Sequence, residues 1–267
     1  MKFSIVTISF NQAGFLERTI QSVLLQKGVE VEYIVVDPGS TDGSRDIIEQ
    51  YRDRIAHVVY ERDKGPADGL NNGFSHATGD VFCYLNSDDT LEPDALARAA
   101  RYIEANPQYD VVCGHAWVTD QDDRRLRRVW SETFRPTFVA YGAAIQIQPS
   151  TFIRREAFLK SGGFNIENRS NWDGELLVDL YRTGARIGIL NEFLSCYRLH
   201  ETSITNTDKL DNLIAIWRNR CFEMLMKRQR RGYDFFVGIV LRLCKHAMNL
   251  PALVERLLRG PMRKRGG

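Results

Sequence analysis

Gly79-Asp80-Val81-Phe82-Cys83-Tyr84-Leu85-Asn86-Ser87-Asp88-Asp89 is the stretch that decides the fold. Val81, Phe82, Cys83, Tyr84 and Leu85 form a short apolar and aromatic run between a glycine and a polar cluster, which reads as a buried strand. The run stops in an amide, a hydroxyl and two carboxylates. A buried strand that delivers acids to its carboxyl end is one way for an α/β domain to hold a divalent cation and a phosphate ligand. The same two acids also suit the cap of a helix starting near Pro93, and taken alone the stretch leaves both readings open.

Upstream, residues 2–10 are rich in β-branched and aromatic side chains and predict a first strand, broken by Asn11 and Gly14. An amphipathic helix follows over 15–26, with Leu16, Ile20, Val23 and Leu24 on one face. Residues 31–37 read as a second strand, again tipped by a carboxylate, Asp37. After the loop Pro38-Gly39-Ser40-Thr41-Asp42-Gly43, Ser44 or Asp42 can cap a helix running to about residue 52. A third strand over 56–60 and a loop with a short helix over 65–78 lead into the acid-tipped strand. Downstream come a helix over 93–105 and a strand over 110–118. This alternation predicts a mostly parallel sheet covered on both faces, with ligands outside the carboxyl ends of its strands. Asn11, Asp37 and Asp88 all fall there, which favours the site reading over the helix cap.

Beyond residue 118 the pattern changes. Asp120-Gln121-Asp122-Asp123 is a polar turn before Arg124-Arg125-Leu126-Arg127-Arg128, which reads as the solvated face of a hairpin or as a phosphate-binding run. Residues 148–153 read as extended and 154–161 as helical, ending at Gly162-Gly163. Trp172-Asp173-Gly174-Glu175 opens a helix to about 183, with Asp173 where an N-cap would stand. Two strands, over 186–190 and 193–199, close the section. From residue 208 onward the pattern is helical, giving a body over 1–207 and a basic helical C-terminal extension over 208–267. Residues 208–267 hold 14 Lys and Arg against 5 Asp and Glu, a net of +9, whereas the first 207 residues hold 22 against 29, a net of −7. Phe235, Phe236, Val237, Ile239, Val240 and Leu243 among basic residues fit a helix on an anionic membrane surface; packing against the body is the alternative.

The composition, 43% hydrophobic and 26% charged in 267 residues, is that of a soluble globular chain. Five scattered cysteines without a CxxC pair exclude a zinc ribbon or a disulfide framework and read as buried thiols of a reducing cytoplasm. The N-terminus turns polar too early for a signal peptide, and no stretch reaches the roughly 18 apolar residues of a membrane span. No GxGxxG turn follows a strand, which excludes a dinucleotide-dependent dehydrogenase, and nothing points to a nucleic acid.

Six ordered pieces of the chain together resemble the family 2 inverting glycosyltransferases, which have the GT-A fold. They are the segment Ser4 through Asn11; Val36-Asp37-Pro38-Gly39-Ser40-Thr41-Asp42-Gly43-Ser44; Asn71-Asn72-Gly73 through Gly79-Asp80; Leu85-Asn86-Ser87-Asp88-Asp89; Gly162-Gly163-Phe164; and Tyr197-Arg198-Leu199-His200. The resemblance runs from about residue 3 to 205. It implies a Rossmann-like, mostly parallel nucleotide-binding sheet flanked by helices, and transfer of a sugar from a nucleotide-diphosphate sugar, a UDP-sugar first among donors. The acceptor it implies is a hydroxyl of a lipid-linked or polysaccharide glycan. Thr7, Ser9 and Asn11 then line the nucleotide cleft, Asp37 accepts from the base, and Asp68 lies near the nucleoside. Asn86-Ser87-Asp88 matches the family's Asp-x-Asp motif with Asn in its first place. Asp88 binds Mg²⁺ or Mn²⁺, with His200 facing the diphosphate or metal. Asp173 aligns with the general base, although Trp172 replaces the acid common before it, so Glu175 is a second candidate. The implied location is the cytoplasmic side of a membrane, with the basic helices as peripheral anchor. A non-catalytic nucleotide-sugar or carbohydrate binder of the same fold, and a sugar nucleotidyltransferase, are the competing readings. The latter needs a basic Gly-rich loop after the first strand, where this chain has Asn11-Gln12-Ala13-Gly14-Phe15.

Overall fold

The computed structural model describes residues 1–200 and 211–260. The end of the family resemblance near residue 205, the boundary at 207/208 and the basic run 263–265 lie outside the described residues.

The first four strands, β1 (Lys2–Ile8), β2 (Glu30–Val36), β3 (His57–Val59) and β4 (Val81–Asn86), form a parallel block in the order β3-β2-β1-β4. Helices α1 (Ala13–Leu24), α2 (Ser44–Gln50) and α3 (Pro66–Ser75) make the crossovers. The sheet continues through later strands: β5 (Thr90–Leu91), β6 (Val111–Thr119), β7 (Arg125–Val129), β8 (Thr151–Arg154) and β9 (Ile187–Arg198). β8 pairs antiparallel with both β4 and β6, β9 runs parallel to β6, and β5 and β7 are antiparallel additions to β9 and β6. The remaining helices are α4 (Ala95–Ala105), α5 (Pro136–Ala140), α6 (Arg155–Ser161), α7 (Trp172–Arg182), α8 (Asp211–Met226), α9 (Asp234–Met248) and α10 (Leu250–Arg259).

The decisive strand is buried on both faces, as its unbroken apolar run predicts. Val81, Cys83 and Leu85 join a core with Phe3, Ile5, Leu16, Ile20 and Leu96, under α1 and α4. Phe82 and Tyr84 point the other way, to Val6, Leu70, Phe74, Phe158 and Leu176, under α3, α6 and α7. The close seat of α3 requires Gly73, because a Cβ there would stand 2.5 Å from Val6 Cγ1.

At the amino-terminal edge of the parallel block, Glu32 is a buried carboxylate fully engaged by donors. Ser4 Oγ donates at 2.5 Å, Thr78 N at 2.7 Å, Thr78 Oγ1 at 2.6 Å and Lys2 Nζ at 2.9 Å. Burial pushes this carboxyl up, and the four donors outweigh it, leaving a pKa of about 2. Because the folded value lies below the ordinary one, the stabilisation is present above the unfolded pKa of about 4.5 and is lost as pH falls towards about 2. Glu32→Gln is expected to cost about 1–3 kcal/mol at neutral pH, and the deficit should shrink in acid melts as the wild type protonates.

Several expectations are corrected. The two predicted strands, over 186–190 and 193–199, are one strand, β9, with register shifts on either side of His115 where the ladder continues past Asn191 and Glu192. α4 starts at Ala95 with Asp94 as its N-cap, so neither Asp88 nor Asp89 caps it. α7 starts at Trp172 with Asn171 as N-cap, which places Asp173 inside the first turn. α8 is integral to the body: Trp217 and Cys221 pack with Leu176 and Leu177, and Phe222 is fully buried against Tyr141. Of the five free cysteines, Cys83, Cys113 and Cys221 are buried as expected, while Cys196 is half-buried and Cys244 is exposed on α9.

Candidate active site

The carboxyl ends of β1, β2 and β4 lie side by side, since Ile8 registers with both Val36 and Asn86. The next residues, Ser9, Asp37 and Ser87, therefore emerge at one edge. The loops after β1 and β2 are stitched together. Asn11 N donates to Ser40 Oγ at 2.8 Å, Thr41 N to Asn11 Oδ1 at 2.9 Å, Gln12 N to Ser44 Oγ at 3.1 Å and Ala13 N to Asp42 Oδ2 at 2.9 Å. Asn11 achieves this in the left-handed region, at φ 53°, where asparagine is tolerated. Pro38, Gly39 and the loop behind them are thus held as a fixed rim.

Asp37 is fully buried. Its Oδ1 accepts from Gly39 N, Ser40 N and Arg45 Nε at 3.1, 2.8 and 3.1 Å, and Arg45 also donates to the Asp37 carbonyl. Its Oδ2 and the Ser9 hydroxyl, both buried, have no hydrogen-bond partner among the described residues. Two orphaned polar atoms at adjacent strand tips mark where a ligand donor and acceptor would be satisfied. Thr7 differs from the expectation. It is fully buried, and its hydroxyl accepts from Tyr33 at 3.0 Å, so it supports the strand and does not open on the cleft. Asp68 lies in the first turn of α3, half-buried, accepting from Lys64 N at 2.9 Å. It neighbours Asp63, whose carboxyl is raised by burial and by the Asp68 and Asp37 charges.

The Asp-x-Asp-like tip divides its labour. Asn86 donates to Gln148 Oε1 at 3.2 Å and to Asp89 Oδ2 at 3.4 Å, and Gln148 donates to the Tyr84 carbonyl at 2.8 Å. Ser87 is buried, and its carbonyl accepts from Thr19 Oγ1 at 2.8 Å. Asp89 is fully buried and accepts the Arg198 amide at 3.0 Å. Burial and the adjacent Asp88 push its carboxyl well up, which suits a structural acid rather than a metal ligand. Asp88 alone keeps an accessible carboxylate, 22% exposed, and its Oδ2 stands 3.0 Å from His200 Nε2. The His200 ring is braced against Phe15, 4.5 Å between centroids.

No cluster of three or more metal-binding side chains occurs among the described residues. Asp88 with His200 fits a hard divalent cation that takes its other ligands from substrate phosphates and water, as Mg²⁺-type sites commonly do.

Arg198 braces the site, a role that its place in the sequence does not single out. It is 1% exposed, donates to the Asp88 carbonyl at 2.8 Å and to the carbonyls of Asp120 and Gln121, and pairs with Asp123 at 2.5 Å. One buried guanidinium thereby ties the Asp88 loop to the hairpin turn. Its position in Tyr197-Arg198-Leu199-His200 was the available signal. The arginine run of that hairpin is used structurally: Arg125 pairs with Glu92 and covers Trp117, and Arg128 pairs with Glu255.

Asp173 and Glu175 separate clearly. Glu175 is buried; Asn165 and Asn168 donate to its two oxygens at 2.9 and 2.6 Å, and Arg220 pairs with it at 2.7 Å. It locks the 165–168 loop to α8 and has no oxygen to spare. Asp173 is half-buried, and burial raises its carboxyl above the ordinary value, partly offset by the N–H groups of Gly174 and Asp173 itself. Trp172 packs on Tyr84 at 5.5 Å and on Phe164 at 5.5 Å, which fixes the start of α7 beside β4. The Tyr84 hydroxyl, buried near the Asp173 charge, also lacks a partner among the described residues.

A parallel sheet that gathers Ser9, Asp37 and Asp88 at one edge, with an acid at a helix start beside them, defines a GT-A glycosyltransferase. A family model described as glycosyl transferase family 2 matches residues 4–162, and the chain belongs to that family. It is 30% identical over 211 residues to a putative teichuronic acid biosynthesis glycosyltransferase, TuaG, of Bacillus subtilis, covering 76% of this chain and 81% of that protein. It is 29% identical to an uncharacterized glycosyltransferase of Nostoc sp., covering 75% of this chain and 65% of the relative, which extends well beyond the match. Among solved structures, S. aureus TarS 1–349 superposes with a TM-score of 0.67 at 18% identity, covering 98% of this chain and 76% of that one. A Pyrobaculum calidifontis mannosyltransferase in complex with GDP-Man and Mn²⁺ gives 0.65 at 18% identity, covering 97% and 76%. The enzyme class and the GT-A fold expected from the sequence stand.

Proposed function

We propose that this glycosyltransferase inverts the anomeric centre of a nucleotide-diphosphate sugar as it transfers the sugar to a hydroxyl of a cell-surface glycan or lipid-linked acceptor. The observation that carries this reading is the pair of buried, unpartnered atoms, Asp37 Oδ2 and Ser9 Oγ, one strand away from an accessible Asp88. Asp37 Oδ2 would accept the imide N–H of uracil, its other oxygen being held by three donors. Asp88 and His200 would hold the divalent cation, which when bound neutralises charge growing on the departing diphosphate. Asp173 takes the proton of the acceptor hydroxyl while that oxygen forms its bond to the anomeric carbon. The bond from that carbon to the diphosphate oxygen breaks on the opposite face. A carboxyl raised by burial is a stronger base than an exposed one, which suits this role.

The relatives named for teichuronic acid and for succinoglycan biosynthesis support a polysaccharide acceptor. TarS complexes with UDP and UDP-GlcNAc support a uridine donor. The test is a thermal-shift panel of nucleotide sugars with Mn²⁺. A UDP-sugar at about 100 times its Kd should add about 2.7 kcal/mol of stability, a rise of roughly 5 °C or more. Asp37→Asn should weaken that donor about tenfold or more. A panel without any shift would overturn the donor assignment.

A further inference from the structure

We propose that α9 and α10 form a foot that docks the enzyme on an anionic lipid surface, lying in the interface without spanning it. The two helices meet at Asn249 with their axes bent by 101°, and no single helix among the described residues is long and apolar enough to cross a bilayer. Their inner faces are fixed to the body. Val237 and Leu241 pack on the cluster of Tyr141 and Phe222, and Asp234 accepts from Tyr141 OH at 2.5 Å and pairs with Arg228 at 2.7 Å. On α10, Glu255 accepts from Arg128 N at 2.9 Å.

Those inward contacts sort the charge. Asp234 and Glu255 are the two carboxylates of α9 and α10, and both are buried in ion pairs against the body. The exposed positions of the two helices therefore combine large apolar side chains with cations. Phe235 and Phe236 are 69% and 67% exposed, Leu243 65%, and Leu257 and Leu258 76% and 75%, while Arg242, Arg256 and Arg259 are also exposed. An apolar face of this kind, rimmed by arginines and free of acids, matches acyl chains below an anionic headgroup layer. A second copy is a poor occupant, since it would bring the same positive charge to the contact.

The full chain is sedimented with vesicles of phosphatidylcholine, or of phosphatidylcholine mixed with phosphatidylglycerol, at low and high salt. Binding is expected to the anionic vesicles, at least about tenfold tighter than to the neutral ones and weakened by salt. Phe235→Ser with Phe236→Ser, and separately Arg242→Glu with Arg256→Glu and Arg259→Glu, should each cut it at least about tenfold without changing the melting temperature, because these side chains are exposed. Absence of vesicle binding, or equal binding to both vesicle types, overturns the proposal. So does a dimer in sedimentation velocity that the phenylalanine pair dissolves while vesicle binding is absent, which would make this face a self-contact.

Discussion

Asp88→Ala is expected to lower sugar transfer about 100- to 1,000-fold while the protein still folds. Asp88 is the one carboxylate of the strand tip that stays accessible, with His200 as its side-chain neighbour, whereas Asp89 is buried onto the Arg198 amide. Under the proposed mechanism, its loss removes the charge that faces His200 and would leave the diphosphate without its cation anchor. The surrounding loop should persist, because Arg198 binds the Asp88 carbonyl and not its carboxylate. Radiolabelled transfer with a Mn²⁺ titration, alongside thermal melts, separates the effects. Wild-type turnover in this variant would remove Asp88 from the reaction, and a collapsed melt would make it a structural residue.

Asp173→Asn is expected to keep donor binding and lose transfer, by about 100- to 10,000-fold, the range for a positioned general base. As the proposed base, Asp173 would work deprotonated, and burial raises its pKa. Activity should therefore fall on the acid side through a pKa above the ordinary carboxylate value, and that limb should vanish from the residual rate of the variant. Glu175→Gln makes the contrast. It disturbs the contacts with Asn165, Asn168 and Arg220, so its primary effect should be on the melting temperature. Loss of UDP binding in Asp173→Asn would reassign that residue to holding the cleft together.

Much of the fold was legible because the strands of the parallel block are buried on both faces. Such strands read as unbroken apolar runs ending in polar tips, as Val81 through Leu85 do. The hairpin of β6 and β7 fits one of the two readings open for its Asp-rich turn and arginine run. What the sequence hid depends on tertiary contact. Thr7 looks like a cleft residue by its place at a strand end, yet the direction of its side chain hands its hydroxyl to Tyr33. Asp88 and Asp89 are adjacent and identical in type, and only the inward turn of one, onto the Arg198 amide, separates the buried carboxylate from the accessible one. Glu175 and Asp173 share a helix turn, but the partners of Glu175 come from Asn165, Asn168 and Arg220, none of which periodicity can pair with it. The charge balance sets residues 208–267 apart, but it gives no sign that Trp217, Cys221 and Phe222 of α8 are buried.

The most direct measurement follows the fate of the anomeric centre. Purified enzyme is incubated with a UDP-sugar and Mn²⁺, and the sugar first released to water or acceptor is read by proton NMR before it mutarotates. The expected result is metal-dependent release of the anomer opposite to that of the donor, abolished by EDTA and by Asp88→Ala. Release of the donor's own anomer, or undiminished release in EDTA, would contradict a metal-assisted inverting displacement at this strand tip.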